Sequence, residues 1–516
     1  MSLLDVKTFF YIEALLCVGI VIVRALLSRE DRRLIDMRAI VLVLVLPATG
    51  YLLPGGRYVF SVAVLLLLPM LARSRAEAAR LYLMAVPMMP MLNYLLGVPG
   101  ISYLIRISYP YLLVFGFLIA FVAHKRTGPA PGFRPLDFAM VLFWLLFTTF
   151  TLRIAGGEAS TTTVTNMMRA AIETALQTVI PYFLLSRSLG NPARLRDAMG
   201  GLAIAVLLLA CVGSFEMVRH WPLYQGMYQH IGIDQPGLSL TLRVRGGLLR
   251  APGPFSESTS FGFFLAICAA AVVSLRSMFR SRAHHIAAIL LLIFGLLATS
   301  SRGAWLALAG GMLVLFLYRR QYMRIALSVA AGAVIYAMAL AVAASSTRAG
   351  EFLGVAGVAA RTADYRKDLL QQGLALFRRS PLLGSDQISI SHALSQLVTG
   401  EGIIDYVNSY LFILVYSGVI GMAIFLFPPA VLAGWLGKVR ARLSRDPRRR
   451  EQLLLIVMGM GALFSGIMFT SFADRNLLWF IIFFAFGRAF QAEVRAARPA
   501  SRDPAAGMPR MAEVLP

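Results

Sequence analysis

Three arginines, Arg243, Arg245 and Arg250, and one glutamate, Glu257, stand close together in the stretch Leu242–Gly262, LRVRGGLLRAPGPFSESTSFG, between long apolar segments. Charge beside hydrocarbon is costly to keep and usually has a task. Clustered guanidinium groups suit one task above others. Arginine stays protonated and offers a fork of donors to paired oxygens, so the stretch reads as an anion site at a membrane surface. The competing reading is that the arginines anchor the chain at lipid headgroups. Further charged candidates are Arg302, in the short turn SSRG, Arg366, and the proton acceptors Asp405 and His392.

The elements that must position these residues are membrane elements. Of 516 residues 58% are hydrophobic and 14% charged, and the mean hydropathy is +0.73, far too apolar for an ordinary soluble domain. The apolar runs have about the 20 residues a helix needs to cross about 30 Å of hydrocarbon, and β-barrel alternation is absent. The expected fold is an all-α polytopic bundle of about 13–15 spans, with a long periplasmic loop that contains an amphipathic helix. Cys17, Cys211 and Cys268 lie inside apolar runs and read as small core residues, not as disulfide or metal ligands. With no His/Cys cluster, P-loop or acidic pair in a soluble domain, no metal site and no cofactor is expected.

A net charge of +24 suggests nucleic acid until its placement is considered. Of 49 Lys and Arg, 32 fall in eight patches, at 24–38, 73–80, 124–134, 187–196, 276–282, 319–324, 438–450 and 488–510. These alternate with loops lacking basic excess, which is the positive-inside pattern and excludes a nucleic-acid partner. Taking the patches as cytoplasmic gives fifteen spans: about 9–27, 38–54, 57–72, 81–97, 107–123, 136–152, 169–186, 198–218, 259–275, 285–300, 303–318, 325–343, 408–436, 452–470 and 476–490. The segment 57–72 is short, and 81–97 carries Pro87 and Pro90 and reads as kinked or re-entrant. No basic region precedes the first apolar run and no small-residue cleavage site follows it, so it is expected to stay as a span.

The chain then divides into N-terminal transmembrane helices (1–218), an outer loop with the arginine motif (219–258), further transmembrane helices (259–343), a long periplasmic loop (344–407), C-terminal transmembrane helices (408–490) and a disordered cytoplasmic tail (491–516). In the long loop, ADYRKDLLQQGLALFRRSP predicts an amphipathic helix of about 15 residues along the outer membrane face. Tyr365, Leu369, Leu376 and Phe377 share a face, and Pro381 ends it. Arg361, Arg366, Lys367, Arg378 and Arg379 line its polar side with Asp364 and Asp368, which also suits a merely solvated face. Arg169 and Glu173, four residues apart, read as a structural pair.

Four segments in order, RAPGPFSESTSFGFFLA, TSSRGAWLALA, YRKDLLQQGLALFRRSPLLGSD and NSYLFILVYSGVIG, make the region of about 240–430 resemble the O-antigen ligase and Wzy-type polysaccharide polymerase superfamily. The resemblance implies a GT-C-like membrane glycosyltransferase that works at the periplasmic face of the bacterial inner membrane. Its substrate would be a glycan carried on undecaprenyl pyrophosphate, with no nucleotide sugar and no metal. Membrane lipid, a flippase and a chain-length regulator are the implied partners. Expulsion of a pyrophosphate needs positive charge where negative charge develops. That part falls to Arg250 first, and to Arg243, Arg245, Arg302 and Arg366.

An acceptor hydroxyl must also lose a proton. Ligases of this superfamily have a histidine immediately before Asn-x-x-Leu, whereas DYVNSYL places Val407 there and Asp405 two residues earlier. The departure favours a polymerase in which Asp405 orients the acceptor. Glu257 is a second carboxylate candidate, unless it is an ion-pair partner for a neighbouring arginine, and His392 is the only histidine in the long loop. A ligase is the first alternative and a polysaccharide transporter or flippase the second. Against the latter stand the absence of an inverted repeat and the gathering of charge in outer loops.

The topology yields a direct test. Single cysteines at Gly237 and Gly357 should react with a membrane-impermeant thiol reagent added from outside, and one at Pro447 should not; protection at Gly357 overturns the assignment.

Overall fold

The computed structural model of the chain describes residues 3–52, 56–90, 93–98, 101–125, 132–155, 164–231, 244–245, 247–255, 257–345, 358–398, 404–439, 446–470 and 474–496. Where water is absent, backbone donors and acceptors must pair within the chain, and a helix does so inside one segment. The apolar runs accordingly form α1 (Leu3–Leu26), α2 (Met37–Leu52), α3 (Gly56–Leu71), α4 (Arg75–Ala85), then the hairpin β1 (Asn93–Val98) and β2 (Ile101–Ser108). There follow α5 (Tyr109–Ala123), α6 (Pro135–Ala155), α7 (Val164–Gln177), α8 (Val179–Ser188), α9 (Pro192–Arg219) and α10 (Tyr224–His230). A second, minimal hairpin, β3 (Val244–Arg245) and β4 (Leu248–Leu249), leads into α11 (Ser258–Ser274), α12 (Arg282–Ala298), α13 (Arg302–Tyr318) and α14 (Tyr322–Ser345). The remainder is α15 (Val358–Arg379), α16 (Gln387–Ala393), α17 (Ser409–Val439), α18 (Pro447–Gly466) and α19 (Asp474–Ala496).

Among the described residues six helices are long and apolar enough to cross a membrane: Asp5–Leu26, Pro135–Ile154, Pro192–Arg219, Tyr322–Val342, Ser409–Val439 and Asn476–Arg495. Six shorter apolar helices accompany them. The architecture is the polytopic helical bundle that the hydropathy requires. The apolar windows of α9 and α19 are 83% and 89% buried inside the protein, whereas that of α14 is 0% buried, so α9 and α19 form the centre and α14 the rim. Small side chains let helices approach where no hydrophobic effect drives them together. Along α13 and α18, Gly311 faces Ala462, and Ser465 Oγ donates to the Ala307 carbonyl at 3.2 Å.

Buried carboxylates tie the helix ends where the basic patches lie. Asp31 accepts from Arg196 Nη2 at 3.0 Å. Asp137, with no exposed surface, accepts from Tyr182 Oη at 2.8 Å, Arg187 Nη2 at 3.2 Å and Arg488 Nε at 3.1 Å.

Several expectations are corrected. The segment 81–97 is not a span: Pro87 and Pro90 remove backbone donors, α4 stops in a 3-10 turn at Val86–Met88, and an antiparallel hairpin pairs Asn93 with Ser108 and Leu96 with Ile105. Glu173 accepts the Arg106 backbone N–H at 2.8 Å and so fastens this hairpin to α7. The span expected at 169–186 is two helices. Pro181 cannot bond to the carbonyl four residues back and its ring crowds that turn, and Thr178 leaves helical geometry (φ −123°, ψ −80°). At the C-terminus the helix runs on to Ala496, past the expected start of the tail at 491, and 497–516 lie outside the described residues. The amphipathic helix is confirmed but longer, 22 residues, with Leu369 and Leu376 buried.

One membrane helix is broken. Gly418, inside α17, has φ 62° and ψ −159°, a region open essentially to glycine alone. The backbone groups freed by the break are bonded by the loop that follows α15: Val419 N donates to Pro381 O at 2.9 Å and Ser385 N to Val415 O at 2.8 Å. Arg153 Nη1 adds bonds to Leu383 O at 2.6 Å and to Tyr416 O. Gly418→Ala should therefore destabilise the fold by about 1–3 kcal/mol, because its Cβ would also strike the Leu382 carbonyl. Gly434→Ala, in the same helix with open space around it, should be neutral or stabilising by up to about 1 kcal/mol. Apparent melting temperatures in detergent measure both; equal shifts would show that the break is not a structural requirement.

Candidate functional site

The arginine segment is held before it is aimed. Glu216, fully buried at the end of α9, accepts the Leu223 N–H at 2.9 Å and the Gly253 N–H at 2.9 Å. One carboxylate thus ties two connecting segments to the bundle. Phe255 stacks on Phe264, with centroids 5.2 Å apart, and Ala251 N donates to Ala298 O at 3.0 Å. Upstream, Val244 pairs with Leu249 and Arg245 with Leu248, through a turn in which Gly247 takes φ +82°.

So held, the segment lies against the turn between α12 and α13, where Thr299, Ser300 and Ser301 are buried. Ser300 sits in left-handed conformation at φ 47°, a strain for a residue with a side chain that persists only where the surroundings fix it. The carbonyls of this turn receive the arginines. Arg245 Nη1 donates to Ser300 O at 3.0 Å, and Arg250 reaches Thr299 O and Thr259 Oγ1, each at 3.4 Å. Arg302 is the first residue of α13, so its charge adds to the positive end of that helix's dipole.

Arg366 arrives from α15. The pKa of its guanidinium is pushed down by burial and by the charge of Arg302, with Asp405 acting in the opposite direction. Arg245 is pushed down as well, by burial and then by Arg302 and Arg366. The three guanidinium groups thus lie within electrostatic reach of one another, and a set of mutually repelling donors is complementary to an anion of high charge density. Asp405 stands beside them with its backbone pinned: Tyr365 Oη accepts its N–H at 3.0 Å and donates to its carbonyl at 3.2 Å. Its own residue surface is exposed.

Arg245, Arg302, Arg366 and Asp405 are therefore brought together, and Arg250 stands next to them on the same turn. Glu257 is exposed at the N-cap of α11, where Ser260 Oγ donates to it at 3.4 Å. His392 is exposed on α16, and nothing described brings its ring to the arginines. Arg243 lies outside the described residues. Among the described residues no group of three His, Cys, Asp or Glu comes together as a metal-ligand set. The features that sequence reasoning missed are Glu216, a lone carboxylate within the apolar run of α9, and Arg153 with Gly418, which build the helix break. An acidic residue at the end of a span was the available signal for the first.

Residues 286–426 match the family model described as O-antigen ligase. In that region the chain is similar to the O-antigen ligase family. This superfamily consists of membrane glycan ligases and polymerases, glycosyltransferase-like in activity, and the chain is a multi-pass membrane protein. The matched residues run from α12 into α17. They include the Thr299–Arg302 turn, Arg366, Asp405 and Gly418, while Arg245, Arg250 and Glu216 lie before them. No curated protein matches the chain.

Crowded like charges oppose folding but serve an anion, so one substitution should separate the two effects. Arg245→Met should raise the apparent melting temperature, because it removes a desolvated charge beside Arg302 and Arg366. It should also lower glycan transfer by about 10²–10³, the scale of one preorganised electrostatic donor. A fall in melting temperature with transfer intact would make Arg245 a structural anchor.

Proposed function

We propose that this protein is a polymerase of undecaprenyl-pyrophosphate-linked repeat units of an exopolysaccharide or O-antigen, acting at the periplasmic face of the inner membrane. The observation that carries this reading is the convergence of Arg245, Arg302 and Arg366 beside Asp405. In the transfer, a hydroxyl oxygen of the acceptor repeat attacks the anomeric carbon of the donor chain. The bond from that carbon to the pyrophosphate oxygen breaks, and its electron pair leaves with the lipid pyrophosphate. The growing charge falls on the three arginines, with Arg250 supporting from the same turn; preorganised positive groups do most where water is scarce. The acceptor proton passes late to Asp405, whose main task is to orient that hydroxyl. The arginines supply the positive charge of the reaction, so the reading calls for no metal.

The loops 219–258 and 344–407 belong to the outer side in this reading, and the basic helix ends to the cytoplasm. A flippase that delivers repeat units and a regulator of chain length are its natural partners. The choice of polymerase rests on Val407, which stands where the resembling ligases have histidine. A second reading, a ligase that transfers finished glycan to a lipid or protein, draws on the description of the matched family.

Deletion strains separate the two. Loss of a polymerase leaves single repeat units on the final acceptor, whereas loss of a ligase leaves full-length polymer on its carrier lipid. Within the polymerase reading, Asp405→Asn should keep protein abundance and cut polymer yield strongly, and His392→Ala should do little. Abolition of polymer by His392→Ala, with Asp405→Asn active, would reverse the roles and restore the ligase reading.

A further inference from the structure

At the far end of α13 the chemistry changes. Arg302 begins that helix of 17 residues and Tyr318 ends it, which at 1.5 Å per residue places this end about 25 Å from the arginine site. There a cavity of about 770 Å³ opens between α13, α17 and α18, walled by Val314, Leu432, Leu436, Val457, Met460 and Phe464. Tyr318 Oη donates to the Leu436 carbonyl at 3.3 Å across it, and Arg320 lies at its edge. On the same helix Leu313, Val314 and Leu317 are exposed, so this flank of the bundle faces hydrocarbon.

The basic residues at this mouth differ from those elsewhere at the same end. Arg196 has Asp31, Arg187 and Arg488 have Asp137, and Arg449 has Glu493. Among the described residues no carboxylate pairs with Arg319, Arg320, Arg324 or Arg450. Burial lowers the pKa of the Arg319 guanidinium, and the charges of Arg450 and Arg324 lower it further. Its Nε is buried and has no hydrogen-bond partner among the described residues. A buried donor of this kind normally finds an acceptor. An apolar groove that opens to hydrocarbon and ends in unneutralised guanidinium groups is complementary to an amphiphile with a fatty chain and an anionic head.

We propose that this groove is a binding site for an anionic phospholipid of the leaflet at the basic end of the bundle, one acyl chain lying between α13, α17 and α18 and the phosphate meeting Arg319 with Arg320, Arg324 and Arg450. The chain fills space that no side chain fills. The phosphate supplies acceptor oxygens to a guanidinium whose Nε has no partner among the described residues. The site is independent of the glycan-transfer reading, because it involves none of Arg245, Arg302, Arg366 or Asp405.

The test uses the full chain and two defined lipids. Native mass spectrometry of the protein released from micelles with equimolar phosphatidylglycerol and phosphatidylcholine should show phosphatidylglycerol retained in preference, and less so as salt rises. The preference should fall roughly fivefold for Arg319→Gln and roughly 25-fold for Arg319→Gln with Arg450→Gln, the scale of one juxtamembrane basic residue per step on an anionic lipid. Ala433→Trp, which fills the groove and leaves every arginine, should also abolish it, while Arg29→Gln on another basic turn leaves it unchanged. Equal retention of the two lipids by the wild-type protein overturns the proposal, whatever the variants do. So does retention by the variants at the wild-type level. Displacement of phosphatidylglycerol by an equal concentration of undecaprenyl phosphate would assign the groove to a carrier lipid instead.

Discussion

The mutual repulsion of Arg245, Arg302 and Arg366 is the constraint to which this end of the bundle answers. Left to themselves, three guanidinium groups would turn away from one another into water and headgroups. They stay together because each is mounted on an element with no freedom to withdraw. Arg245 rests on a hairpin bonded to the Ser300 carbonyl. Arg302 opens a helix whose small residues lock it onto its neighbour, and Arg366 belongs to an amphipathic helix whose apolar face packs on α17, where Gly373 meets Leu411. The stability this crowding removes is offset by the bundle beneath. An arriving pyrophosphate would relieve the repulsion, and that relief is largest when its charge is highest, as the bond to the sugar breaks.

The helix break at Gly418 follows from the same arrangement. A continuous outer half of α17 would leave no place for the loop from Pro381 to Ser385, which bonds into the break and carries the chain from α15 toward Asp405. Irregular backbone at membrane depth is tolerated only where protein satisfies it. Arg153, from α6, completes the bonding. The broken helix and the turn that receives the arginines both lie within the residues that match the O-antigen ligase family, as do Arg302, Arg366 and Asp405, while Arg245 and Arg250 stand before them.

Most of the bundle was legible because hydrocarbon imposes one solution, a helix of a set length, on every apolar run. What escaped was local backbone chemistry. Pro181 divides an apolar run without changing its hydropathy, and after Pro90 the backbone is satisfied by strand pairing in a hairpin, which hydropathy alone does not tell from a span. At the site, the residue types were readable, as arginines and an aspartate beside spans stand out from their apolar surroundings. Their convergence was not. It depends on Ser300 adopting a left-handed turn and on Tyr365 gripping Asp405, and neither residue type announces such a role. Glycine at 418 reads as one more small residue in a membrane helix until its dihedral angles are known.

The Glu216 tie has a consequence for how such a protein diversifies. Its carboxylate grips main-chain amides, at Leu223 and Gly253, and reads no side chain on either loop. Every amino acid except proline presents the same amide. At Leu223, therefore, the bond itself selects no side chain, and it is packing, with Leu223, Tyr224 and Met227 buried, that restricts what stands there. In the proposed transfer, the tether that presents the arginines thus rests on backbone position and packing, and on no side chain that a new glycan would select.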